Sequence, residues 1–574
     1  MEWEMTEVVT PDAVTLAVLQ GRLEQIADEM DATLYRSAFN PIIAEARDAC
    51  HGLYDAETGE TLVQGTRGLP IFVGAMAFAV RAVIAKVAEE GGLQPGDTFA
   101  FNDCYAGGTH LNDMRLVRPV FRDGRLFCWL ASAGHWLDVG GNVAGSYNAR
   151  ATESLQEGFR LPVVKLIRAG VMDRDLLAVM QANTRTPQSN WGDLNGQLNA
   201  LDLGERRLSD LLDQHGEAVV KGAFTALADR AARLMEERIA ALPEGDHAFE
   251  DFLDNDGITD EALPIALDLR VRGGRLVLDF TRSARACQGP LNISRATAIA
   301  CCYVALKHAF PEVPANAGVL RPVDFVIPEG SILDAPPPRP MGGYTETILR
   351  VIGVVFGALA KADPARATAA PFGTINALSL AGHRADGSRF VMFCFFGGGL
   401  GGNPAGDGLH HANNPISMAT IPPVEILEAS YPVMFTDWAL RPDSGGDGEH
   451  RGGVGAVYGI ETLAPGRTEV ALLGERGRFP PFGVNGGGPA ALNRFTWTDE
   501  HGTHTPPMAS KLAGVTLPTG GRVKLETPGG GGWGDPARRD PEARARDQRR
   551  GFVGLCAADS RLQAAPSGDQ GREP

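Results

Sequence analysis

Residues 102–116 read Asn-Asp-Cys-Tyr-Ala-Gly-Gly-Thr-His-Leu-Asn-Asp-Met-Arg-Leu, and residues 135–141 read His-Trp-Leu-Asp-Val-Gly-Gly. Between them, residues 116–121 and 126–133 carry the strand pattern on either side of Asp123-Gly124, a short-range hairpin signal. Thr98–Phe101 reads as a further strand, which leaves the turn Pro95-Gly96-Asp97 and enters the loop at Asn102-Asp103. Each histidine therefore sits beside a strand of one hairpin. Imidazole nitrogen and carboxylate oxygen together suit zinc, manganese or ferrous iron, and two histidines with one carboxylate leave coordination positions open. Flanking glycines let the backbone approach an ion without Cβ clashes. The spacing H-x-x-D is common, however, and histidines hydrogen-bonded within loops fit the same residues.

Working outward, Thr10-Pro11-Asp12 predicts a helix start, with Thr10 as N-cap and Pro11 at the first helical position. Val14, Leu16, Leu19, Leu23, Ile26, Met30 and Leu34 then recur at helical spacing. Short strands are expected over 42–67 around Asp55-Ala56-Glu57-Thr58-Gly59, and an alanine-rich helix over 73–90. Residues 173–242 read as helical. Residues 246–286 alternate as strands around Gly273-Gly274, a buried helix is expected over 294–309, and Pro336-Pro337-Pro338 marks a boundary or strap. A helix near 346–362 precedes β-like sequence broken by glycine clusters, and a short charged helix and frayed tail close the chain.

The fold class is α+β (mixed α/β) and multi-layer, with helical N-terminal and middle segments and a β-rich, glycine-rich C-terminal part. Five regions are expected: 1–172 with the metal-site loops, the helical 173–245, an α+β region 246–335, the β-rich 336–536, and the charged helix and tail 537–574. At 574 residues the chain exceeds the size at which one core stops growing. A net charge of −17 repels phosphate backbones, so nucleic acid is not an expected partner. Eight cysteines without a C-x-x-C pair fit reduced thiols in the cytoplasm. The acidic N-terminus shows no signal peptide, and no apolar run reads as a membrane span.

Other residues invite two readings each. Asp138 could orient a ligand imidazole, a catalytic role, or cap the turn Gly140-Gly141. Asn102 and Asp103 could bind an ion or its water, and an Asx-turn is the favoured reading. Arg47-Asp48 could bind an anion, with a structural ion pair the safer reading. His51 has no evident meaning. His411, with His410 and Asn413, could transfer protons in a cleft, or the pair could be satisfied loop histidines. The clusters at 397–402 and 529–534 have GxG spacing but no following Lys-Ser/Thr, so tight turns and close packing between layers are expected there.

The segments 102–116 and 135–141 resemble the signature of the hydantoinase B/oxoprolinase family. The resemblance continues in order through Gln156-Glu157-Gly158-Phe159-Arg160-Leu161-Pro162, Ala182-Asn183-Thr184-Arg185-Thr186-Pro187, Gly192-Asp193-Leu194 and Gly204-Glu205-Arg206-Arg207. It ends with Arg441-Pro442-Asp443-Ser444-Gly445-Gly446, Arg451-Gly452-Gly453 and the run 527–536, so it spans about residues 10–550. The family includes B-type subunits of hydantoinases, the corresponding half of 5-oxoprolinases and metal-bearing subunits of ketone carboxylases. By that resemblance His110, Asp113 and His135 are the ligands of a divalent metal ion (Zn, Mn or Fe). Trp136 stands where many relatives have a second histidine, which implies a more apolar pocket.

The resemblance also implies a division of labour in a hetero-oligomer. A hydantoinase A-like partner binds ATP and Mg and phosphorylates the amide oxygen of a small cyclic amide. The present chain, which has no P-loop, then opens the activated ring with metal-activated water. Two other roles fit the same motifs: a subunit of an ATP-dependent ketone carboxylase, or a non-catalytic assembly subunit with a structural metal.

Overall fold

The computed structural model describes residues 9–417 and 419–554. The first helix runs Ala13–Ser37. Its N-cap is Asp12 and not Thr10: the Asp12 carboxylate accepts the Val14 and Thr15 N–H groups at 2.9 and 3.1 Å. An aspartate two positions later reaches the free donors that Thr10 was expected to satisfy. Leu19, Leu23, Ile26, Met30 and Leu34 are buried. This helix packs along Pro187–His215. Gly204 permits the approach, because a Cβ there would lie 2.5 Å from the Met30 sulfur.

Four sheets organise the described residues. The first is ordered Thr61–Gln64, Ala49–Asp55, Arg125–His135, Asp113–Arg122, Thr98–Phe101, Val164–Arg168, Val171–Met172. Its central hairpin is longer than the sequence pattern suggested, and the register runs from Arg122 opposite Arg125 to Asp113 opposite His135. Alternation failed to reveal the open end of the hairpin because Asp113, Arg115 and His135 there are polar yet buried. The stretch expected as strand from residue 42 begins instead as the helical turn Pro41–Ala44, capped by Asn40.

The apolar helix Pro70–Glu90 meets the length and composition of a membrane span, but half of its most apolar window is buried in the protein. It crosses Arg295–Ala309 closely, and a Cβ on Gly74 would meet Ala300 Cα at 2.9 Å. The second sheet is ordered Val323–Val326, Arg275–Asp279, Leu263–Arg272, Gly245–Leu253, and Tyr344–Ala362 packs on it. One hydrophobic core runs from Ile42 to Leu473 through these layers, so residues distant in the chain share a single interior.

The third sheet (Arg389–Cys394, Ala377–His383, Thr468–Leu473, Lys511–Leu517) and the fourth (Val433–Leu440, Ala456–Thr462, Arg522–Glu526, Arg494–Asp499, Gly502–His504) share a core containing Leu380, Leu472, Tyr458 and Leu525. The glycine clusters run beside one another: Gly399 donates to Pro528 O at 3.1 Å, Gly402 to Gly531 O at 2.9 Å and Gly530 to Gly453 O at 2.9 Å. A Cβ on Gly399 would fall 1.8 Å from Gly453 O, so side chains are excluded by backbone packing. The charged helix is Pro541–Arg549. The expected frayed tail and the acidic N-terminal segment fall on residues 555–574 and 1–8, outside the described residues.

Candidate metal centre

The hairpin register decides where the chemistry sits. Asp113 and His135 are Cα partners at its open end, and His110 lies one turn before Asp113 in the loop that feeds the strand. The Trp136 N–H donates to Asn112 O at 2.8 Å, and Asn112 Nδ2 donates to Trp136 O at 3.0 Å, which ties the two loops together. One candidate ligand atom from each of His110, Asp113 and His135 lies within 4.8 Å of the others. All three residues are buried.

His110 Nδ1 is 2.7 Å from Asp113 Oδ2, and Thr109 Oγ1 donates to the same oxygen. The Tyr147 hydroxyl is 2.9 Å from His110 Nε2 and 3.2 Å from His135 Nε2. Beneath, Arg115 donates to the Asp113 carbonyl at 2.9 Å and to Thr109 Oγ1. Aromatic rings wall the site: Tyr344 is 4.5 Å from the His110 ring, and Phe393 is 5.2 Å from His135 and 4.7 Å from Tyr147, centroid to centroid.

Burial, reinforced by His110, pushes the His135 imidazole down to about 3, so it is neutral. Burial alone would raise Asp113, but His110 and Arg115 outweigh it and hold the carboxyl below its usual range. Burial raises the Tyr147 phenol well above its ordinary value, and the Asp113 charge adds to this. Asp113 Oδ1 and His135 Nδ1 are buried without hydrogen-bond partners among the described residues. Two imidazoles, that of His135 held neutral, an anionic carboxylate and two unpaired ligand atoms fit a divalent cation.

Asp48 is the residue whose position the sequence reading understated. Its carbonyl accepts the His135 N–H at 3.1 Å, and its carboxylate Oδ1 is buried without a partner among the described residues. Burial and then the Asp113 charge raise its pKa well above the ordinary value. Arg47 is exposed and forms no ion pair with it, so the expected structural pair is absent. Burial cannot be read from an Arg-Asp dipeptide, so the sequence singled out the pair without showing that Asp48 alone would be buried.

Asp138 is occupied elsewhere. Oδ1 accepts Gly140 N and Arg185 N at 2.9 Å each, and Oδ2 accepts Gly145 N and Arg185 Nη1 at 3.0 Å each. None of these partners is an imidazole, so Asp138 holds the loop that carries Tyr147 and does not orient a ligand. His411 hydrogen-bonds the Tyr458 hydroxyl and packs near Trp438 in the C-terminal sandwich. His410 Nδ1 accepts Val454 N at 3.0 Å. Neither ring contacts the triad, because the glycine segments route this loop along the sandwich. Asn102 pins the loop by accepting Leu161 N at 2.7 Å and donating to Leu111 O at 2.7 Å, and Asp103 forms the Asx-turn with Tyr105 N at 3.0 Å. His51 lies buried between Asp31 at 2.7 Å and Ser132 at 3.0 Å, joining the first helix to the first sheet.

The described residues thus form a mixed multi-sheet fold with a buried cluster of two histidines and a carboxylate on a hairpin that could hold a metal ion. The hydantoinase B/oxoprolinase family profile matches residues 12–536, and the chain belongs to that family. The beta subunit of caprolactamase from Pseudomonas jessenii is 32% identical over 563 residues, covering 96% of this chain and 95% of that one. The crystal structure of the ATP-dependent caprolactamase from the same organism superimposes with a TM-score of 0.87 at 30% identity, covering 96% of each chain. An acetone carboxylase structure has a TM-score of 0.86 at 21% identity, covering 94% of this chain and 78% of that one, a likeness of fold.

Proposed function

We propose that this chain is the metal-site subunit of an ATP-dependent cyclic amidohydrolase and acts with a separate A-type, ATP-binding subunit in the cytoplasm. The observation that carries the reading is the convergence of His110, Asp113 and His135, with Asp113 Oδ1 and His135 Nδ1 unpaired, in a chain similar along its length to a caprolactamase beta subunit. His110, Asp113 and His135 would hold the ion, and Asp48 offers a second carboxylate beside them. A divalent cation bound there supplies Lewis acidity, which polarises an amide oxygen and acidifies water.

The chain's own residues prepare the rest. Arg115 and Thr109 fix the Asp113 main chain and carboxylate, so the carboxylate need not reorganise when charge develops. The Tyr147 phenol, kept protonated by burial, donates to an imidazole nitrogen or to a substrate oxygen placed between the histidines. Tyr344 and Phe393 exclude bulk water from the ring being opened. Phosphorylation of the amide oxygen by the partner would make the carbonyl carbon electrophilic; water adds to it, the C–N bond breaks with a proton going to the ring nitrogen, and a second water hydrolyses the resulting acyl phosphate to the carboxylate and inorganic phosphate.

The test is turnover by the two-subunit complex with ATP and a panel of a lactam, a hydantoin, 5-oxoproline and a ketone with bicarbonate. Ring opening that requires ATP and is lost in His110→Ala supports the proposal. Carboxylation of the ketone alone, or unchanged ring opening in His110→Ala with assembly intact, overturns it.

A further inference from the structure

The helix Pro187–His215 packs on both strands of the hairpin that ends at Asp113 and His135. It buries Leu194, Leu198 and Leu201, as an amphipathic helix should, but Asn190, Asp193 and Gln197 are buried too. Spaced three and four apart, these polar residues share one side of the helix. Burying an amide or a carboxylate carries a desolvation cost that an apolar residue avoids. Asp193 Oδ2 has no hydrogen-bond partner among the described residues, and burial pushes the carboxyl up to about 7. A polar stripe kept at that cost needs a reason beyond packing.

The hydrogen bonds supply one. Asn190 Nδ2 donates to Asp138 O at 2.8 Å, where the loop toward Tyr147 begins. Asp193 Oδ1 accepts Phe39 N at 2.8 Å and Asn40 N at 3.1 Å. Gly192 admits that segment, because a Cβ there would lie 2.3 Å from the Phe39 ring. Asn40 Nδ2 donates in turn to His135 O at 2.8 Å, and Asn40 caps the helical turn that leads to Asp48. Since Asp48 O accepts the His135 N–H, the segment held by Asp193 grips His135 at both main-chain groups. Gln197 Nε2 donates to Met114 O at 3.1 Å, and its Oε1 accepts Trp136 Nε1 at 3.3 Å. Met114 follows Asp113 in the chain, and Trp136 follows His135. The three side chains thus hold the backbone beside the triad and hydrogen-bond none of its side chains.

We propose that Asn190, Asp193 and Gln197 are positioning residues that fix the main chain of the metal centre, with Asp193 setting Asp48 and His135 through Asn40. The clamp stands on the hydrogen bonds alone. Its purpose, keeping the ligands at the spacing a cation needs, rests on the metal-site reading above. Removing the groups that orient metal ligands costs about 10–100-fold in affinity, which sets the size of the expected effect.

The experiment titrates metal-stripped full-length protein with zinc against a chromophoric chelator and follows amide hydrogen exchange of the metal-free protein by mass spectrometry. Asp193→Ala is expected to weaken zinc binding ~100-fold and Gln197→Leu ~10-fold, whereas Asp193→Asn, which keeps the accepting oxygen, stays within ~3-fold. In Asp193→Ala, residues 39–48 and 134–136 are expected to exchange at least ~10-fold faster, with the strand Lys511–Leu517 unchanged. Wild-type zinc affinity in both Asp193→Ala and Gln197→Leu, or faster exchange throughout the chain, would overturn the proposal and leave packing as the only role. If Asp193→Ala does not fold, the zinc affinity of Gln197→Leu decides. A wild type that binds no zinc defeats the metal-site reading instead. The exchange result then still decides the clamp, which local loss of protection supports and unchanged protection overturns.

Discussion

Asp113 and His135 stand directly opposite each other as the last pair of the long hairpin, with the Tyr147 hydroxyl reaching the imidazole from a separate loop. The carboxylate and one imidazole are therefore placed by strand pairing, the most rigid part of the site. The remaining groups depend on loops held by a few hydrogen bonds. That difference separates the consequences of substitution.

Tyr147→Phe removes a hydroxyl shared by two histidines but none of the three expected ligands. We predict that the variant keeps its metal and its fold and loses ~100-fold in kcat, the scale of a lost proton donor. Metal content and single-turnover kinetics of the complex check this. Metal loss with unchanged kcat per bound ion would show that the hydroxyl serves binding instead.

Asp138→Ala leaves the Gly140, Gly145 and Arg185 N–H groups without their carboxylate. We predict a loss of ~3 kcal/mol in unfolding free energy, in line with breaking several charge-assisted bonds at a buried group. Turnover should fall in parallel as the Tyr147 loop loosens. Denaturant unfolding measures the first effect. A stable variant with a selective catalytic defect would return Asp138 to the chemistry.

His411→Ala acts far from the triad in contact terms, losing only the Tyr458 hydrogen bond and ring packing. The expected result is metal content equal to wild type and kcat within ~3-fold, since nothing poised for proton transfer is removed. A ~100-fold fall in kcat in a well-folded variant would contradict this.

Burial raises Glu157 to about 8 against two backbone N–H bonds, from Met341 and Gly342, that favour its charge; burial, with the Glu475 charge adding, also raises Glu346 to about 8. Both folded values exceed the unfolded carboxylate value, so their contribution to stability is full below pH ~4.5 and is lost as pH rises through about 8. We predict a lower melting temperature at pH 9 than at pH 6, and a smaller difference in Glu157→Gln. An identical pH dependence in the variant would show that Glu157 does not titrate in this window.

The sequence foretold the mixed fold, the N-terminal helix, the central hairpin and the helical segment after it, because each has strong periodicity or an unambiguous turn. Pairing across the hairpin then juxtaposed Asp113 and His135. What escaped were features created by tertiary burial. Asp48 became an isolated buried carboxylate only when the strand Ala49–Asp55 docked beside Arg125–His135. Tyr147 carries no motif and reaches the histidines through a loop shaped by Asp138. Asp138 and His411 were legible as polar residues near glycines, and Asp138 does accept the Gly140 N–H of the turn it was read as capping; Arg185 and Tyr458, their partners 47 residues away, lie beyond any local pattern.

The central claim is that two imidazoles and one carboxylate hold a cation. Metal analysis of the co-purified two-subunit complex, beside the His110→Ala and His135→Ala complexes, tests it most directly. About one divalent transition-metal ion per copy of this chain is predicted in the wild type, falling to below about a tenth in either variant. Active enzyme without metal, or undiminished metal in both variants, would contradict the account.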